Sequence, residues 1–257
     1  MLGVFDSGLG GLSVLKAIHG RLPEVATVYL GDSARFPYGT QDQETIFKWT
    51  SEGVRYLFSL GAPLVVLACN TASANALRRI QQEILPREYP DCRVIGVIRP
   101  IVEDAAATTK TKHVGVLATR ATVESHAYRT ELQKINPEIC VNEESAGEIV
   151  EDVQEGSAAD QHVREAVQRI LAYDPRIDTL VLGCTHFSLL HDFFSERVPT
   201  GVQVVGSGAA IADKLVAYLA RHTDLAARLH RTGTHTYLTT GDAAQVSMVS
   251  NLSFEKL

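Results

Sequence analysis

The sequence predicts an α/β fold: two similar domains of mainly parallel sheet, flanked by helices, with a site in the cleft between them. Short β-branched runs alternate with longer amphipathic segments along the chain, which is the pattern of parallel strands connected by helices. The length of 257 residues is enough for one large domain or for two of roughly 100–150 residues each. We expect ligands at the carboxyl ends of the strands, where open parallel sheets bind them.

The alternation runs through the whole chain. The predicted strands are LGVF, TVYLGD, LVVLAC, RVIGVI, HVGVLAT, EICVN, TLVLGC and VQVVGS. The helices that follow them are predicted near 10–21, 42–60, 71–84, 100–108, 121–135, 147–155 with 161–171, 187–197 and 208–221. The tail, from HTYLTTGD to AAQVSMVSNL, adds one more strand and helix. We expect this tail to pack back on the first half.

An internal similarity suggests that the two halves share one plan. VLACNT surrounds Cys69 and VLGCTH surrounds Cys184, and GVFDS and GVLAT precede them at nearly equal distances. Unrelated α/β strands can also look this similar, so both duplication and chance stay open. We place the first domain at 1–92 plus 208–257 and the second at 93–207.

Charge and composition argue against several classes of protein. The 24 Lys and Arg residues against 30 Asp and Glu give a net charge of −6, which disfavours a general nucleic-acid binder. The longest apolar stretch, around 60–69, has about ten residues, whereas a membrane helix needs about 20. The N-terminal MLGVFDSGLGG lacks the pattern of a secretory signal. We therefore expect a cytoplasmic protein that binds neither nucleic acid nor membrane, with reduced thiols.

The sequence shows no pattern typical of a metal site. The nine histidines form no HExxH motif, and the four cysteines form no CxxC pair. We therefore expect no metal ligands.

The segment FDSGLGGLS combines a strand end, a glycine-rich turn and a helix start. Glycines allow backbone N–H groups to approach a ligand closely, and a helix N-terminus favours an anion. The segment does not fit GxGxxG, because Ser13 occupies the final glycine position, and the chain has no Gly-Lys pair. A plain turn and an anion-binding turn both remain open.

Two cysteines stand at matched strand ends. Cys69 is followed by the polar Asn70 and Thr71, and Cys184 by Thr185 and His186. A single strand cysteine is usually a small buried hydrophobic residue. Two thiols in matched settings instead suit a reaction that needs an acid and a base on opposite sides of one carbon. Cys92 and Cys140 lack such neighbours, and packing or partial exposure accounts for them.

A cysteine base needs help, because a thiol with a pKa of about 8.5 is only a few per cent thiolate near pH 7. A nearby cationic histidine or a helix N-terminus would lower the thiol pKa, whereas a carboxylate would act as a proton acceptor or relay. Asp6 and His186 are the leading candidates. The alternatives are a turn or N-cap carboxylate for Asp6 and a buried, hydrogen-bonded histidine for His186.

Five segments together resemble glutamate racemase. They are FDSGLGGLSV, GDSARFPYG, ACNTASA, GVLATRATVESHAY and LVLGCTHF, in this order and with this spacing. They extend from Phe5 to Phe187, and the order of strands and helices matches beyond them, so the resemblance covers nearly the whole chain. It implies a cofactor-independent isomerase that interconverts L- and D-glutamate and supplies D-glutamate for peptidoglycan.

The resemblance also implies roles for individual residues. Cys69 and Cys184 flank the α-carbon, so that one thiolate removes the α-proton while the opposite thiol protonates the other face. The cysteine at 69 acts on the D-enantiomer and the one at 184 on the L-enantiomer, with Asp6 assisting Cys69 and His186 assisting Cys184. The implied substrate contacts are Asp6, Ser7, Tyr38, Gly39, Asn70, Thr71, Thr119, Thr122, Thr185 and His186. A small-molecule substrate and a homodimer are implied as well.

The chain departs from the family pattern in three places. Family members usually carry a glutamate where this chain has Gln154, and Glu151 or Glu155 could substitute for it. Gly206 stands where an acid is common, and Phe187-Ser188 replaces a frequent Tyr-Pro pair. None of these changes affects the two thiols.

Two other functions stay open at this point. A racemase of the same superfamily could act on aspartate or another amino acid, because the sequence does not give the distance to the side-chain carboxylate. A non-catalytic amino-acid-binding module would keep the cleft without turnover, although binding alone does not require two thiols.

Overall fold

The protein is described here from a computed structural model that covers residues 1–156, 159–206 and 208–257. Its described strands form two sheets in which every pairing is parallel. The strands are β1 Leu2–Asp6, β2 Thr27–Gly31, β3 Leu64–Leu67, β4 Arg93–Gly96, β5 His113–Ala118, β6 Cys140–Ser145, β7 Thr179–Gly183, β8 Gln203–Val205, β9 His235–Thr239 and β10 Glu255–Lys256. The first sheet has the order β10-β9-β2-β1-β3-β4, and the second has the order β6-β5-β7-β8. The predicted α/β architecture is confirmed.

Helices connect the strands and cover the sheets. They are α1 Leu12–Arg21, α2 Gln43–Ser59, α3 Asn70–Asn75, α4 Leu77–Arg79, α5 Leu85–Glu88, α6 Ile98–Thr108, α7 Arg120–Glu124, α8 Ala127–Ile135, α9 Glu148–Glu155, α10 Asp160–Tyr173, α11 Thr185–Leu189, α12 His191–Ser195, α13 Gly208–Arg221, α14 Thr223–Ala227 and α15 Ala243–Ser250. A π-helical stretch, Ile80–Ile84, connects α4 to α5. The helix predicted over 121–135 is two helices, because His126 between them has a left-handed backbone with φ of 51°.

The strand β4 lies in a different sheet from the one that the predicted boundary implies. The predicted boundary between residues 92 and 93 places Arg93–Gly96 in the second domain, but β4 pairs with β3 of the first sheet, with Leu64 opposite Arg93. The strand order gives the reason. The run β2-β1-β3-β4 repeats as β6-β5-β7-β8, so β4 is the counterpart of β8 and completes the first half. The tail packs as predicted, since β9 pairs with β2.

The core explains why the strands are apolar throughout. Every residue of β1, β2, β3 and β7 is buried, as parallel strands covered on both faces require. One apolar cluster extends from the first sheet to the second through α1, α6, α8 and α13. Separate clusters fill the outer faces, one under α2 and one under α9 and α10. The shared inner layer fixes how the two halves face each other.

No helix in the described part of the chain is both long and apolar enough to cross a bilayer.

Packing of α2 on the first sheet should depend on its inner face. Leu57 is fully buried, whereas Leu60 just beyond the helix end is 37% exposed. We expect Leu57→Ala to lower the free energy of unfolding by about 3 kcal/mol through cavity formation, and Leu60→Ala by less than about 0.5 kcal/mol. Urea unfolding followed by circular dichroism measures both. Equal losses for the two variants would contradict this packing.

Candidate active site

A cavity of about 260 Å³ lies where the carboxyl ends of strands from both sheets meet. Ten of the twelve predicted site residues line it: Ser7, Tyr38, Gly39, Cys69, Asn70, Thr71, Thr119, Cys184, Thr185 and His186. The other two, Asp6 and Thr122, are buried but do not line the cavity. Each half therefore contributes one cysteine to the same cavity. The cavity lies at the carboxyl ends of the strands, where open α/β sheets bind their ligands.

Cys69 joins β3 to α3 and is 4% exposed. Its Sγ accepts a hydrogen bond from the Ala72 backbone N–H at 3.4 Å and lies 3.4 Å from the Ser7 hydroxyl. Burial, and to a smaller extent the negative charge of Asp6, raise the pKa of this thiol to about 11, against the hydrogen bonds from Ser7 and Ala72. Cys69 is therefore a thiol near pH 7, despite its place at a helix N-terminus.

Asp6 lies behind Cys69, at the end of β1, and is fully buried. One carboxylate oxygen, Oδ2, accepts a hydrogen bond from Gly8 N–H at 3.0 Å, while Oδ1 has no partner in the described part of the chain. Burial raises the pKa of Asp6 to about 6, against the opposing effect of the nearby backbone N–H groups of Gly11, Gly8 and Ser7. The free oxygen and the raised pKa suit a carboxylate that accepts a proton.

The glycine-rich turn packs closely against its neighbours on both sides, which leaves no room for a side chain at Gly10 or Gly11. A Cβ at Gly11 would lie 2.6 Å from the Asp6 Cβ, and a Cβ at Gly10 would collide with Thr185 and His186 of the other half. A larger residue at Gly11 would displace Asp6, and one at Gly10 would displace the segment that follows Cys184. The turn therefore serves packing between the halves.

Cys184 follows β7 and precedes α11. Burial raises the pKa of its thiol to about 12, against backbone hydrogen bonds from His186 and Phe187. Its Sγ lies 3.8 Å from His186 Nδ1. Burial also lowers the pKa of His186 to about 4, so the imidazole is neutral at pH 7. It therefore does not lower the thiol pKa as a cation, but its ring nitrogen can accept or relay a proton.

Threonine hydroxyls connect the two halves beside the thiols. The Thr119 hydroxyl lies 2.9 Å from both the Thr71 and Thr122 hydroxyls, and Thr122 donates to Thr71 at 3.2 Å. Thr122 therefore supports the cavity wall from behind. The Tyr38 hydroxyl donates to Asp32 Oδ2 at 2.5 Å. These contacts fix the polar wall of the cavity.

The cavity also contains residues that the sequence reasoning missed. They are Phe36, Pro37, Thr40, Arg120, Ser145, Gly147, Glu148 and Val150. Ser145 could have been found, because it ends β6 at the same edge as Cys184. Phe36 lies in a segment already singled out, and its ring centroid is 5.5 Å from that of His186. Arg120 begins a helix within the quoted segment GVLATRATVESHAY, whereas Glu148 begins a helix that no motif marks.

Of the acids weighed as replacements for the family glutamate, Glu151 lines the cavity. The side chains of Gln154 and Glu155 lie outside the described residues. Glu148 also lines the cavity and accepts a hydrogen bond from Arg169 at 2.7 Å.

The lining residues that the structure describes include one side-chain cation, Arg120, which is exposed. A carboxylate bound deeper in the cavity would depend on backbone N–H groups, hydroxyls and amides. Within the described ranges, no group of three or more His, Cys, Asp or Glu residues is arranged to hold a metal ion.

Comparison with known proteins gives the family. The family model described as Asp/Glu/Hydantoin racemase matches residues 12–215. The chain belongs to the Asp/Glu/hydantoin racemase family. A glutamate racemase of Roseobacter denitrificans is 40% identical over 96% of this chain and 93% of the relative.

Solved structures of racemases support the same assignment. Glutamate racemase isoform RacE1 from Bacillus anthracis aligns with a TM-score of 0.89 at 29% identity, over 100% of this chain and 97% of its own. Glutamate racemase from Francisella tularensis, solved with D-glutamate, aligns with a TM-score of 0.83 at 30% identity, over 100% and 95% of the two chains. The resemblance to glutamate racemase and the isomerase class are confirmed.

Asp6 should destabilise this racemase at neutral pH. Its folded pKa of about 6 lies above the ordinary value of 3.8, so stability falls as pH rises from about 4 to above 6. Asp6→Asn removes the buried charge and should raise the free energy of unfolding at pH 8, by an amount on the order of 3 kcal/mol. The gain should disappear near pH 4, where the carboxyl is protonated. Urea unfolding at the two pH values measures it.

The control for this prediction is Asp213→Asn, which removes an exposed carboxylate paired with Arg21. It should change stability little at either pH. A gain for Asp6→Asn that is equal at pH 4 and pH 8 would show that charge burial is not its cause.

Proposed function

We propose that this protein interconverts L- and D-glutamate by a two-base proton transfer between Cys69, Cys184 and the α-carbon. The observation that carries the proposal is that two buried thiols, one from each half, line one cavity. Racemisation must take a proton from one face of a carbon and return one to the other face. Two acid/base groups on separate walls meet that requirement.

The chemistry is a proton transfer with inversion. With L-glutamate, the Cys184 thiolate takes the α-proton while the Cys69 thiol donates a proton to the opposite face, which leaves D-glutamate and a Cys69 thiolate. The reverse direction exchanges the two roles. No electrons leave or enter the substrate, so the chain's own acids and bases balance the reaction.

The thiolate must be formed inside the cavity. The pKa values of about 11 for Cys69 and about 6 for Asp6 make transfer from thiol to carboxylate unfavourable before substrate arrives. The substrate ammonium brings a positive charge into the low-dielectric cavity and favours the thiolate. Asp6 would receive the proton of Cys69, and neutral His186 that of Cys184. The same burial excludes water, which would otherwise protonate the carbanion that develops at the α-carbon.

Glutamate is the substrate that the comparisons support best. The Roseobacter relative is named glutamate racemase, and the Francisella structure contains D-glutamate. Aspartate racemase from Picrophilus torridus aligns at 18% identity with a TM-score of 0.55 and shares the fold. We propose that Ser7, Asn70, Thr71, Thr119 and Thr185 hold the two carboxylates.

The proposed biological role is the one that the resemblance to glutamate racemase implies. The enzyme would work in the cytoplasm as a homodimer and supply D-glutamate for peptidoglycan. It would use no cofactor, so L-glutamate alone should suffice as the added reagent.

The two-base mechanism predicts asymmetric isotope exchange. When L-glutamate is incubated with the protein in D₂O, deuterium should enter the D-glutamate product early while recovered L-glutamate keeps its proton. Two separate thiols cause this, because the proton removed and the deuteron added belong to different groups. Chiral chromatography with mass spectrometry measures both pools. Equal early labelling of the two would point to a single base.

The two cysteines should be indispensable to racemisation. Cys69→Ala and Cys184→Ala should each lower kcat by at least about 10³-fold, since each removes one of the two proton carriers. Polarimetry with L-glutamate measures the rate. Cys140→Ala, which removes an exposed thiol, is the matched control and should keep the full rate. A rate near that of the unaltered protein in either site variant would rule out this mechanism, and no turnover in the unaltered protein would favour a binding module.

A further inference from the structure

One buried side chain of the second half contacts both cysteine segments. Tyr128, on α8, is fully buried in the apolar layer between the sheets. Its hydroxyl donates a hydrogen bond to Asn70 Oδ1 at 2.6 Å, and Asn70 directly follows Cys69. The edge of its ring lies against Gly183, which directly precedes Cys184: a Cβ there would be 3.1 Å from Tyr128 Cε2.

The hydroxyl of Tyr128 acts as a fixed donor. Burial, together with the charges of Cys184 and Cys69, holds the pKa of this phenol well above its usual range, so it keeps its proton at neutral pH. A phenol that keeps its proton needs an acceptor when it is buried. Asn70 Oδ1 is that acceptor.

This bond determines which atoms Asn70 turns toward the cavity. A side-chain amide has one acceptor oxygen and one donor nitrogen. With Oδ1 held by Tyr128, the Nδ2 hydrogens remain, and the structure gives them no protein partner in the described part of the chain. Asn70 lines the cavity. The reverse orientation would present an oxygen to a substrate carboxylate and leave the phenol facing a donor.

We propose that Tyr128 is a positioning residue of the racemase site, which orients the Asn70 amide so that its N–H groups donate to a carboxylate of the amino acid. This inference rests on the proposed function. The Tyr128 ring is held in place by the apolar layer and by its packing against Gly183. Its hydroxyl fixes the orientation of the Asn70 amide through the hydrogen bond. Tyr128 does not itself touch the substrate.

The first test is a double-variant cycle with L-glutamate. Tyr128→Phe should raise KM about tenfold, the cost of one misdirected hydrogen bond, and change kcat by less than about threefold. In an Asn70→Ala background the same substitution should change KM by less than about twofold, because it acts through Asn70. If Asn70→Ala leaves too little turnover to measure KM, all four proteins of the cycle are made in a Cys184→Ala background. The Kd of L-glutamate is then measured for each by calorimetry.

Two controls separate positioning from folding. Tyr173→Phe removes a hydroxyl that donates to Glu144 at 3.0 Å on the exposed surface, and it should leave KM and kcat unchanged. Asn70→Asp keeps an acceptor for Tyr128 but lacks the N–H groups, so it should raise KM by more than tenfold even where Tyr128→Phe folds poorly. Thermal unfolding reports the integrity of each variant.

Three results would overturn the proposal: an unchanged KM in folded Tyr128→Phe, an equal loss in the native and Asn70→Ala backgrounds, or an unchanged KM in Asn70→Asp. In each of these cases the unaltered protein still racemises glutamate, so the proposed function stands. If the unaltered protein does not racemise glutamate, the proposed function fails and this inference fails with it.

Discussion

Burial of two thiols between two facing sheets is the constraint on which the rest of the structure depends. The carboxyl ends of β3 and β7 meet at one cavity, and the shared apolar layer of α1, α6, α8 and α13 holds them there. Burial removes water from the sulfurs and raises the pKa of both thiols. The same physical effect makes the thiolates costly to form and strongly basic once formed.

The local features around the cavity follow from this close approach. Gly10 and Gly11 have no side chain because the first turn passes between Asp6 on one side and Thr185 and His186 on the other. Polar contacts cross between the halves at the cavity wall, such as the Thr71 and Thr119 hydroxyls at 2.9 Å. Each of these groups pairs with a partner from the other half, so the wall is complete only when both halves are folded together. Relative movement of the halves would change substrate contacts and thiol environment at once.

Among the described residues that line the site, no side-chain cation is buried. Asp6 is buried with one oxygen that has no partner among the residues the structure describes, and burial keeps His186 neutral. A positive charge would enter with the substrate ammonium, which links binding to thiolate formation in the proposed mechanism. The buried charge of Asp6 lowers the stability of the fold at neutral pH. Perturbed pKa values of this kind are common at functional sites.

The strand-end rule accounts for most of what the sequence predicted about the site. Ser7, Cys69, Thr119 and Cys184 all follow parallel strands, and such strands deliver their last residues to one edge. The rule did not distinguish Asp6 from Ser7. A shift of one position along the chain changes whether a side chain lines the cavity, as Ser7 does, or lies behind it, as Asp6 does. It also missed Arg120 and Glu148, which reach the cavity from helix starts. The position of β4 was missed because a strand four residues long does not reveal its neighbour.

The sequence by itself determined the alternation of strands and helices, the family and the two matched cysteines, because apolar periodicity and local motifs are written in adjacent residues. The tertiary structure alone decided which groups meet across the halves. The bond from Tyr128 to Asn70 joins residues far apart in the chain, and the pKa values of Asp6, Cys69 and His186 depend on burial by distant segments. Desolvation is a property of the assembled core, so a linear pattern does not encode it in any one place.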